Sequence, residues 1–218
     1  MPSSSVTRVR KPRNRYHHGD LRRALVHEAV RTIASDGIEH LTLREAGSRL
    51  GVSRTALYRH FSDKAALLAA VARDGFQRFR LELDAAWGQA PGTRLGFSLM
   101  GEAYVRFAVT HPGHYRVMFG DFRDLCGKDP ELEGDAQGAF TTLINALVEL
   151  QRAGLVRVDD PKQLGEFIWS TVHGTAMLAI NGQLGPEPAE SGRLDDVVRF
   201  AIDRIWTGID SGRAQERS

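Results

Sequence analysis

The sequence has a single cysteine and no long hydrophobic run. The lone Cys126 excludes an intrachain disulfide framework and a multi-cysteine zinc site, as is typical of proteins in a reducing compartment. No apolar stretch approaches the roughly 18–20 residues that span a bilayer, and the basic N-terminus lacks the apolar segment of a signal peptide. The sequence therefore predicts a cytoplasmic protein with no membrane partner.

Catalytic signatures are missing as well. The chain contains no G-x-S-x-G, H-E-x-x-H, phosphate-binding loop or G-x-G-x-x-G motif. Cys126 lies in an acidic stretch, which disfavours a reactive thiolate. We predict neither an enzymatic activity nor a cofactor.

Positive charge is concentrated at one end of the chain. Residues 1–61 hold 12 Lys and Arg against 5 Asp and Glu, whereas the remaining residues hold 17 against 22. A basic N-terminal quarter on a mildly acidic body is typical of a module that meets a polyanion. A basic tail without a partner is the alternative at this point.

Helical patterns fill the first third of the chain. An amphipathic helix begins near Asp20 and closes at Gly37, because apolar residues recur every four positions between them. Thr42 and Glu45 have capping-box spacing, in which each side chain reaches the other residue's backbone N–H. A second helix therefore starts at Thr42 and stops before residue 51. Ser53 is placed to cap a third helix that runs to about residue 61, and a longer fourth helix follows.

The second and third helices form a helix, glycine turn, helix unit, whose second member can enter the DNA major groove. Gly47 lies where the facing helix would press. Leu57 and Phe61 fall four apart on the inward face. The outward face carries Arg54, Thr55, Tyr58 and Arg59. Thr42 and Lys64 lie at helix N-termini, where unpaired N–H groups attract phosphates.

The rest of the chain shows five more helical patterns and no strand pattern of useful length. They cover about residues 95–110, 114–119, 136–153, 161–181 and 193–209, with loops over 122–135 and 182–192 that are rich in Gly, Pro and acids. We predict an all-α chain made of a three-helix DNA-binding module and a larger helical domain for ligand binding and dimerisation. The predicted segments are a disordered basic arm (1–15), the helix-turn-helix domain (16–64), a connecting helix (65–88), the effector-binding and dimerisation domain (89–210) and a disordered tail (211–218).

Three stretches of the sequence resemble the TetR family of bacterial transcriptional regulators. The first two are "YHHGDLRRAL" and "GIEHLTLREAGSRLGVSRTALYRHFSDKAALL", within residues 16–76. The third is "HPGHYRVMF", and the spacing of Trp169, His173 and Gly174 resembles one subgroup. The resemblance implies a homodimer whose homeodomain-like N-terminal modules enter adjacent major grooves of a roughly palindromic operator.

The residues that the motifs and the resemblance assign to DNA lie between positions 42 and 64. They are Thr42, Arg44, Ser53, Arg54, Thr55, Ala56, Tyr58, Arg59, His60 and Lys64. Arg54 and Arg59 are the candidates for base edges, because bidentate Arg to guanine is the commonest specific contact. Tyr58 and His60 are candidates for phosphate contacts. The alternatives are that Tyr58 packs against the protein and that His60 caps a helix end.

The last two helical patterns carry long apolar faces, and the resemblance implies that they form a four-helix bundle with those of a second copy. The predicted interface residues are Phe167, Ile168, Thr171, Val172, Thr175, Val198, Ile202, Ile205 and Ile209. Packing within one subunit is the alternative for the same faces.

The middle helices are rich in large, adaptable side chains, which favours a small-molecule pocket with a few polar groups. The candidate pocket residues are Met100, Tyr104, Phe107, His111, Tyr115, Met118, Phe119, Phe140, Trp169 and His173. Ordinary core packing is the alternative for each of them. His111 and His114 stand three apart, but Pro112 and Gly113 interrupt the helix between them and no close carboxylate or cysteine accompanies them, so no metal site is predicted.

With these features, the resemblance to the TetR family implies a repressor that is released from its operator by a small apolar or amphipathic ligand. The alternatives are a DNA-binding architectural protein without an effector, and an enzyme or small-molecule carrier. An architectural protein would bind DNA without sequence preference and with a steep salt dependence.

Overall fold

The computed structural model describes residues 18–120, 129–184 and 192–212. Within these ranges the chain is helical and has no strand, apart from one isolated bridge between Val156 and Asp210. The helices are α1 (His18–Asp36), α2 (Leu43–Arg49), α3 (Arg54–Tyr58), α4 (Lys64–Trp87), α5 (Arg94–Thr110), α6 (Pro112–Phe119), α7 (Pro130–Arg152), α8 (Pro161–Ile180) and α9 (Arg193–Ile209). The all-α prediction is confirmed for the described residues.

Helices α1 to α3 form the N-terminal module. The inward stripe of α1 is buried as its spacing predicts, with Leu25 and Ile33 fully covered. Gly37 closes α1 with a φ of 92°, a left-handed conformation that glycine adopts without strain. Helix α3 ends at Tyr58 rather than near Phe61, because His60 N bonds back only three residues to the Leu57 carbonyl and tightens the chain into a turn.

Side-chain caps start the helices of the module where the sequence indicates. Thr42 Oγ1 accepts from the Glu45 backbone N–H at 3.1 Å, and Ser53 Oγ accepts from the Ala56 N–H at 3.2 Å. The predicted reverse half of the capping box is wrong. The Glu45 carboxylate accepts instead from Arg49 Nη2 at 2.9 Å, one helical turn further on.

Helix α4 connects the N-terminal module to the body, which consists of α5 to α9. It packs against α1 at one end and against α5, α6 and α7 along its length. At 24 residues it is the longest of the described helices. Helix α4 therefore contacts both the module and the body.

Two boundaries in the body differ from their predictions. Helix α6 begins at Pro112, so the break between α5 and α6 lies at His111. Proline has no N–H to donate and fits the first turn of a helix. For the same reason α7 begins at Pro130, six residues before the predicted start, with the Asp129 carboxylate accepting from the N–H groups of Glu131 and Leu132.

The predicted terminal segments lie mostly outside the described residues, which begin at 18 and end at 212. The predicted tail begins too early, because Ser211 N donates to the Leu155 carbonyl at 3.1 Å and its hydroxyl donates to the Gly154 carbonyl at 2.6 Å. The internal division at residues 64 and 88 stays a prediction. Cys126 lies outside the described residues.

Candidate DNA interface and ligand cavity

Helix α3 carries a polar outer face on an apolar base. Leu57 keeps 2% of its surface exposed, whereas Tyr58, the next residue, keeps 46%. Arg54, Thr55 and Arg59 are exposed beside it. The predicted inward and outward faces of this helix are therefore confirmed.

Gly47 determines how closely α2 approaches α3. A Cβ atom at this position would lie 3.2 Å from Leu57 Cδ2 and 3.5 Å from Val52 Cγ2. These separations leave little room for a methyl group. The glycine therefore permits the close packing that supports α3 from behind.

Cationic side chains border a shallow groove between α2 and α3. The groove has a volume of about 270 Å³, and Arg44, Arg54 and Tyr58 are among its walls. The Arg54 guanidinium lies 5.6 Å from the centre of the Tyr58 ring, which is a cation–π arrangement. Exposed, grouped positive charge of this kind attracts a phosphate backbone.

Several residues predicted to contact DNA also hold the module together. The hydroxyls of Thr42 and Ser53 act as helix caps, yet both residues are exposed and each hydroxyl keeps its own proton as a donor. Lys64 Nζ donates to the Ile38 carbonyl at 2.6 Å, which leaves two of its three donors. Ala56 and His60 are half-buried, and Ala56 packs against the core. Their contacts with DNA stay predictions.

An ion-pair cluster around the buried Glu28, which the sequence analysis missed, joins α2 to α1. The buried Glu28 carboxylate accepts from Arg31 Nη2 at 2.9 Å and from Arg49 Nη1 at 3.3 Å. Arg49 Nη1 also donates to Thr32 Oγ1 at 3.0 Å. The hydrogen bond from Arg31, with a further one from Arg49, lowers the pKa of Glu28 despite its burial. Because Glu28 and Arg49 are 21 residues apart, no local spacing indicates their contact.

An aromatic cavity of about 300 Å³ lies between α4, α5, α6, α7, α8 and α9. The aromatic side chains on its walls are Phe76, Phe79, Phe97, Tyr104, Phe119, Phe140 and Trp169. The aliphatic walls include Leu83, Met100, Leu143, Ile168, Val172, Ile202 and Ile205. The polar lining residues are Glu133, Gln137 and Glu166.

Half of the predicted pocket residues line this cavity. They are Met100, Tyr104, Phe119, Phe140 and Trp169. The α4 residues Phe76 and Phe79 were missed, because their helical spacing is that of any core-facing stripe. The acidic side chains on α7 and α8 were missed because exposed glutamates are common on helices.

Phe107, His111 and Met118, which were predicted as pocket residues, do not line this cavity. Phe107 is fully buried against Phe79, with ring centres 5.0 Å apart, and His111 stacks on its other side at 4.7 Å. Met118 faces α4, where a Cβ atom at Gly75 would lie 2.6 Å from its sulfur. All three residues serve helix packing beside the cavity.

Tyr115 and His173 form a second layer behind the cavity wall, joined to Tyr104 and Trp169 in what we call the tyrosine cluster. Tyr104 Oη accepts from Trp169 Nε1 at 3.0 Å and from Tyr115 Oη at 3.1 Å. His173 Nδ1 lies 2.7 Å from Tyr115 Oη and 3.2 Å from Tyr104 Oη. Burial raises the pKa of both tyrosines and lowers the pKa of His173, which favours neutral side chains near pH 7.

Six of the nine predicted dimer residues are buried within one subunit, and their assignment to an interface stays a prediction. They are Ile168, Val172, Val198, Ile202, Ile205 and Ile209. Their faces of α8 and α9 pack onto α5 and onto each other. Phe167 is 50% exposed. Two further apolar residues that the sequence analysis missed are also exposed, Leu178 at 42% and Phe200 at 65%. Thr171 and Thr175 are half-buried.

His114 connects α6 to α4 through a hydrogen bond with Asp74. Its Nε2 lies 2.9 Å from Asp74 Oδ2, and this hydrogen bond, with one from Arg78, lowers the pKa of Asp74 to about 2. The Nδ1 of His114 is buried without a hydrogen-bond partner in the described part of the chain. The described residues include no group of three or more His, Cys, Asp or Glu that could hold a metal. They also include no helix long and apolar enough to cross a membrane.

Two family models match the chain. Residues 25–71 match the model described as bacterial regulatory proteins, tetR family, and residues 97–205 match the tetracyclin repressor-like C-terminal domain. The second match covers half of the chain.

Individual relatives agree with these matches. A structure of a protein of unknown function from Rhodococcus sp. RHA1 is 32% identical, with a TM-score of 0.78 over 90% of this chain and 99% of that one. The class C tetracycline repressor of Escherichia coli is 45% identical over 51 residues, 23% of each chain. The nucleoid occlusion factor SlmA of Idiomarina loihiensis is 25% identical over 55% of this chain, and the chain spans 60% of its length.

Proposed function

The chain belongs to the TetR family of bacterial regulatory proteins, and on that premise we propose that it is a cytoplasmic, ligand-responsive repressor that binds a roughly palindromic operator as a homodimer. Proteins of this family are DNA-binding transcriptional regulators rather than enzymes. The observation that carries the proposal is the outward polar face of α3, held in place by the buried Leu57.

Arg54 and Arg59 read base edges in this proposal, and Thr42, Tyr58 and Lys64 hold phosphates. Both arginines are exposed on α3, where a guanidinium can reach a guanine in the major groove. Thr42 and Lys64 lie at the N-termini of α2 and α4, on either side of that helix. Arg44, on the groove wall beside Arg54, is a further contact with the backbone.

Gel shifts with DNA from the region flanking the protein's own gene test which residues read bases and which hold phosphates. Arg54→Ala or Arg59→Ala should cost about 1–3 kcal/mol and relax the preference at one base position. Lys64→Ala should weaken binding to all sequences alike and lower the salt dependence. If all three variants lose the same affinity on matched and mismatched DNA, base reading by these arginines is refuted.

Dimerisation through the outer faces of α8 and α9 is supported by their exposed apolar side chains. Phe167, Thr171, Gly174 and Leu178 share one stripe of α8, because they are spaced three or four residues apart. Phe200 extends the apolar surface on α9. Gly174 has open space where a Cβ would lie, which permits close approach of another helix.

Sedimentation velocity tests this interface. The wild type should sediment as a dimer, and Phe167→Arg combined with Phe200→Arg should produce a folded monomer. Leu81→Arg is the matched control, because Leu81 is similarly exposed but lies on α4. A double variant that remains dimeric would place the interface elsewhere.

A ligand in the aromatic cavity would act on the N-terminal module through α6. Phe119, at the C-terminal end of α6, lines the cavity. Gly113, at the other end of α6, packs against α1, and a Cβ atom on this glycine would lie 2.5 Å from the Val30 carbonyl oxygen. Between them, Met118 fills the space at Gly75 of α4. Because α6 packs closely on α1 at Gly113 and on α4 at Gly75, a displacement of Phe119 would shift α1 or α4 in this proposal. The two recognition helices then leave their spacing of roughly 34–36 Å.

Release from DNA requires only a modest preference of the ligand for the displaced state. A hundredfold loss of operator affinity corresponds to about 2.7 kcal/mol. Compounds that raise the unfolding temperature of the protein are then tested in the gel shift. The switch fails if every compound that binds the body leaves operator affinity unchanged.

A further inference from the structure

We infer that the aromatic cavity takes a neutral, largely apolar ligand with a carbonyl oxygen, and that the Tyr104 hydroxyl donates a hydrogen bond to this oxygen. The inference rests on the proposed function, because it names the chemical class of the ligand for that same cavity.

Polar groups are distributed unevenly over the wall of the cavity. Glu133, Gln137 and Glu166 are exposed, so they lie at its rim, in contact with solvent. Among the lining residues that the structure describes, Tyr104 is the only buried one with a polar side chain, and 7% of its surface is exposed. The inner part of the cavity therefore offers a ligand one hydroxyl group among apolar walls.

The rest of the inner wall requires an apolar, uncharged ligand body. Phe97, Met100 and Ile202 are buried residues that face the cavity from α5 and α9. Ligand surface placed against such walls leaves water, which is favourable for hydrocarbon and costly for an unpaired polar group. A charged group beside these walls would lose its hydration without gaining a partner, so the inner part of the ligand is neutral.

The distances within the tyrosine cluster indicate where its protons lie. Tyr104 Oη accepts from Trp169 Nε1 at 3.0 Å and from Tyr115 Oη at 3.1 Å, so both of its lone pairs are used. Tyr115 has thereby given its hydroxyl proton to Tyr104, yet its Oη lies 2.7 Å from His173 Nδ1. Two lone pairs would repel each other at this distance, so Nδ1 carries a proton and donates it to Tyr115.

The same assignment leaves the Tyr104 hydroxyl proton without an acceptor among the described residues. His173 Nδ1 also lies 3.2 Å from Tyr104 Oη, but a nitrogen that carries a proton cannot accept another. An unused donor in a buried position is unfavourable, and an acceptor on a ligand removes that cost. Tyr104 therefore has a hydrogen bond to give to a molecule in the cavity that it lines.

The Tyr104 hydroxyl is fixed in position and keeps its proton. The Tyr104 ring meets the Phe79 ring edge to face, with centres 4.9 Å apart, and meets the Tyr115 ring in the same way at 6.1 Å. Burial raises the pKa of Tyr104, so the hydroxyl remains a neutral donor near pH 7. A carbonyl oxygen suits this donor, because it accepts without bringing a proton that the apolar walls could not bind.

Two probes of one shape test the hydrogen bond: 4-phenylbutan-2-one and 2-methyl-4-phenylbut-1-ene, in which a methylene group replaces the carbonyl oxygen. Binding to the full chain without DNA is followed by tryptophan fluorescence, since Trp169 lines the cavity. Tyr104→Phe should weaken binding of the ketone on the order of tenfold and leave binding of the alkene within about twofold. Unchanged alkene binding also shows that the variant keeps its fold.

Three further variants locate the bond. Without the Tyr115 hydroxyl, His173 Nδ1 is free to accept the Tyr104 proton, so Tyr115→Phe should weaken ketone binding by about threefold or more. This effect reaches the ligand from behind the cavity wall. Gln137→Leu, at the rim, and Tyr58→Phe, on α3, are the matched controls, and both should keep the ketone affinity of the wild type.

Three results would overturn the inference. If Tyr104→Phe leaves ketone binding unchanged, the hydrogen bonds run the other way, from Tyr104 through Tyr115 to His173. If it weakens both probes equally, Tyr104 acts through its shape. Failure of both probes to bind the wild type would exclude this ligand class. Failure of the proposed switch is seen separately, because the ketone then binds through Tyr104 while operator affinity in the gel shift stays the same.

Discussion

The N-terminal module and the body use their side chains in opposite ways. In the module, the polar side chains of α3 point outward from a filled core. A methyl group at Gly47 would fit only if the neighbouring side chains moved slightly. In the body, the inward faces of α4 to α9 leave a cavity of about 300 Å³ between them. The module is therefore built to present a rigid surface, and the body is built to receive a molecule.

The two regions also treat buried polar groups differently. The module buries a charged carboxylate, Glu28, and pairs it with two arginines. The body buries neutral hydroxyls and an imidazole in the tyrosine cluster. A charged pair in one region and a neutral network in the other should respond differently to substitution and to pH.

The largest expected effect comes from the base of the recognition helix. Leu57→Ala should destabilise the module by about 2–5 kcal/mol, because it leaves a cavity under α3. Operator binding in gel shifts should fall with it. All three tryptophans lie in α4 to α9, so tryptophan fluorescence reports the unfolding of these helices.

Leu81→Ala is the control for that substitution, because Leu81 is 64% exposed and its loss should cost less than about 0.5 kcal/mol. If Leu57→Ala shifts the tryptophan transition as far as the loss of helix signal, the two regions unfold as one unit.

The tyrosine cluster gives the next effect. Tyr115→Phe should destabilise the protein by about 1–2 kcal/mol in urea unfolding, because it removes a buried hydroxyl that bonds Tyr104 and His173. Tyr58→Phe, the same change on the exposed face of α3, should leave stability within about 0.5 kcal/mol. Equal losses in the two variants would show that the cluster does not stabilise the body.

The pair between His114 and Asp74 predicts a pH effect at the junction of module and body. The pKa of Asp74 in the folded protein is about 2, below its ordinary value of 3.8, so the pair stabilises the fold above about pH 4. This contribution is lost as the pH falls toward 2. Because the carboxylate is 36% exposed, we expect up to about 1 kcal/mol after allowance for solvent screening.

Urea unfolding of the wild type and of Asp74→Asn between pH 5 and about pH 2.5 measures this difference. The wild type should lose more stability than the variant over this range. Parallel curves for the two proteins would contradict the assignment.

The smallest effect compares two helical glycines. Gly134→Ala in α7 should stabilise the protein by about 0.5–1 kcal/mol, because a Cβ there meets nothing and alanine favours the helix. Gly47→Ala in α2 gains the same helix preference but presses on Leu57, so its net stabilisation should be smaller. Urea midpoints of the two variants measure the difference, and a larger gain at Gly47 would contradict tight packing between α2 and α3.

Local features of the fold were predictable, and contacts between distant residues were not. The caps at Thr42 and Ser53 follow from side chains that bond backbone groups three residues away. The early start of α7 was missed because its acidic first turn, which includes Glu131, has a composition that is equally typical of a loop. The pair of Glu28 and Arg49 was missed because no period of helix or turn relates positions so far apart.

The candidate sites show the same distinction. The outward residues of α3 could be predicted, because the periodicity of this one short helix separates them from Leu57 on its inward face. The cavity needs side chains from six helices, and only their packing decides that Phe79 and Ile202 face one space while Phe107 does not. Which face of α9 is free was also settled by α5, which covers Ile202 and leaves Phe200 exposed.

The sequence by itself determined the helical fold, the DNA-binding motif, the outward set of α3 and the family resemblance, because each depends on residues within a few turns of one another. Only the tertiary structure decided the lining of the cavity, the tyrosine cluster and the exposed faces of α8 and α9. Those properties depend on which of several equally apolar faces pack together, and that choice is made by shape and volume across the whole body.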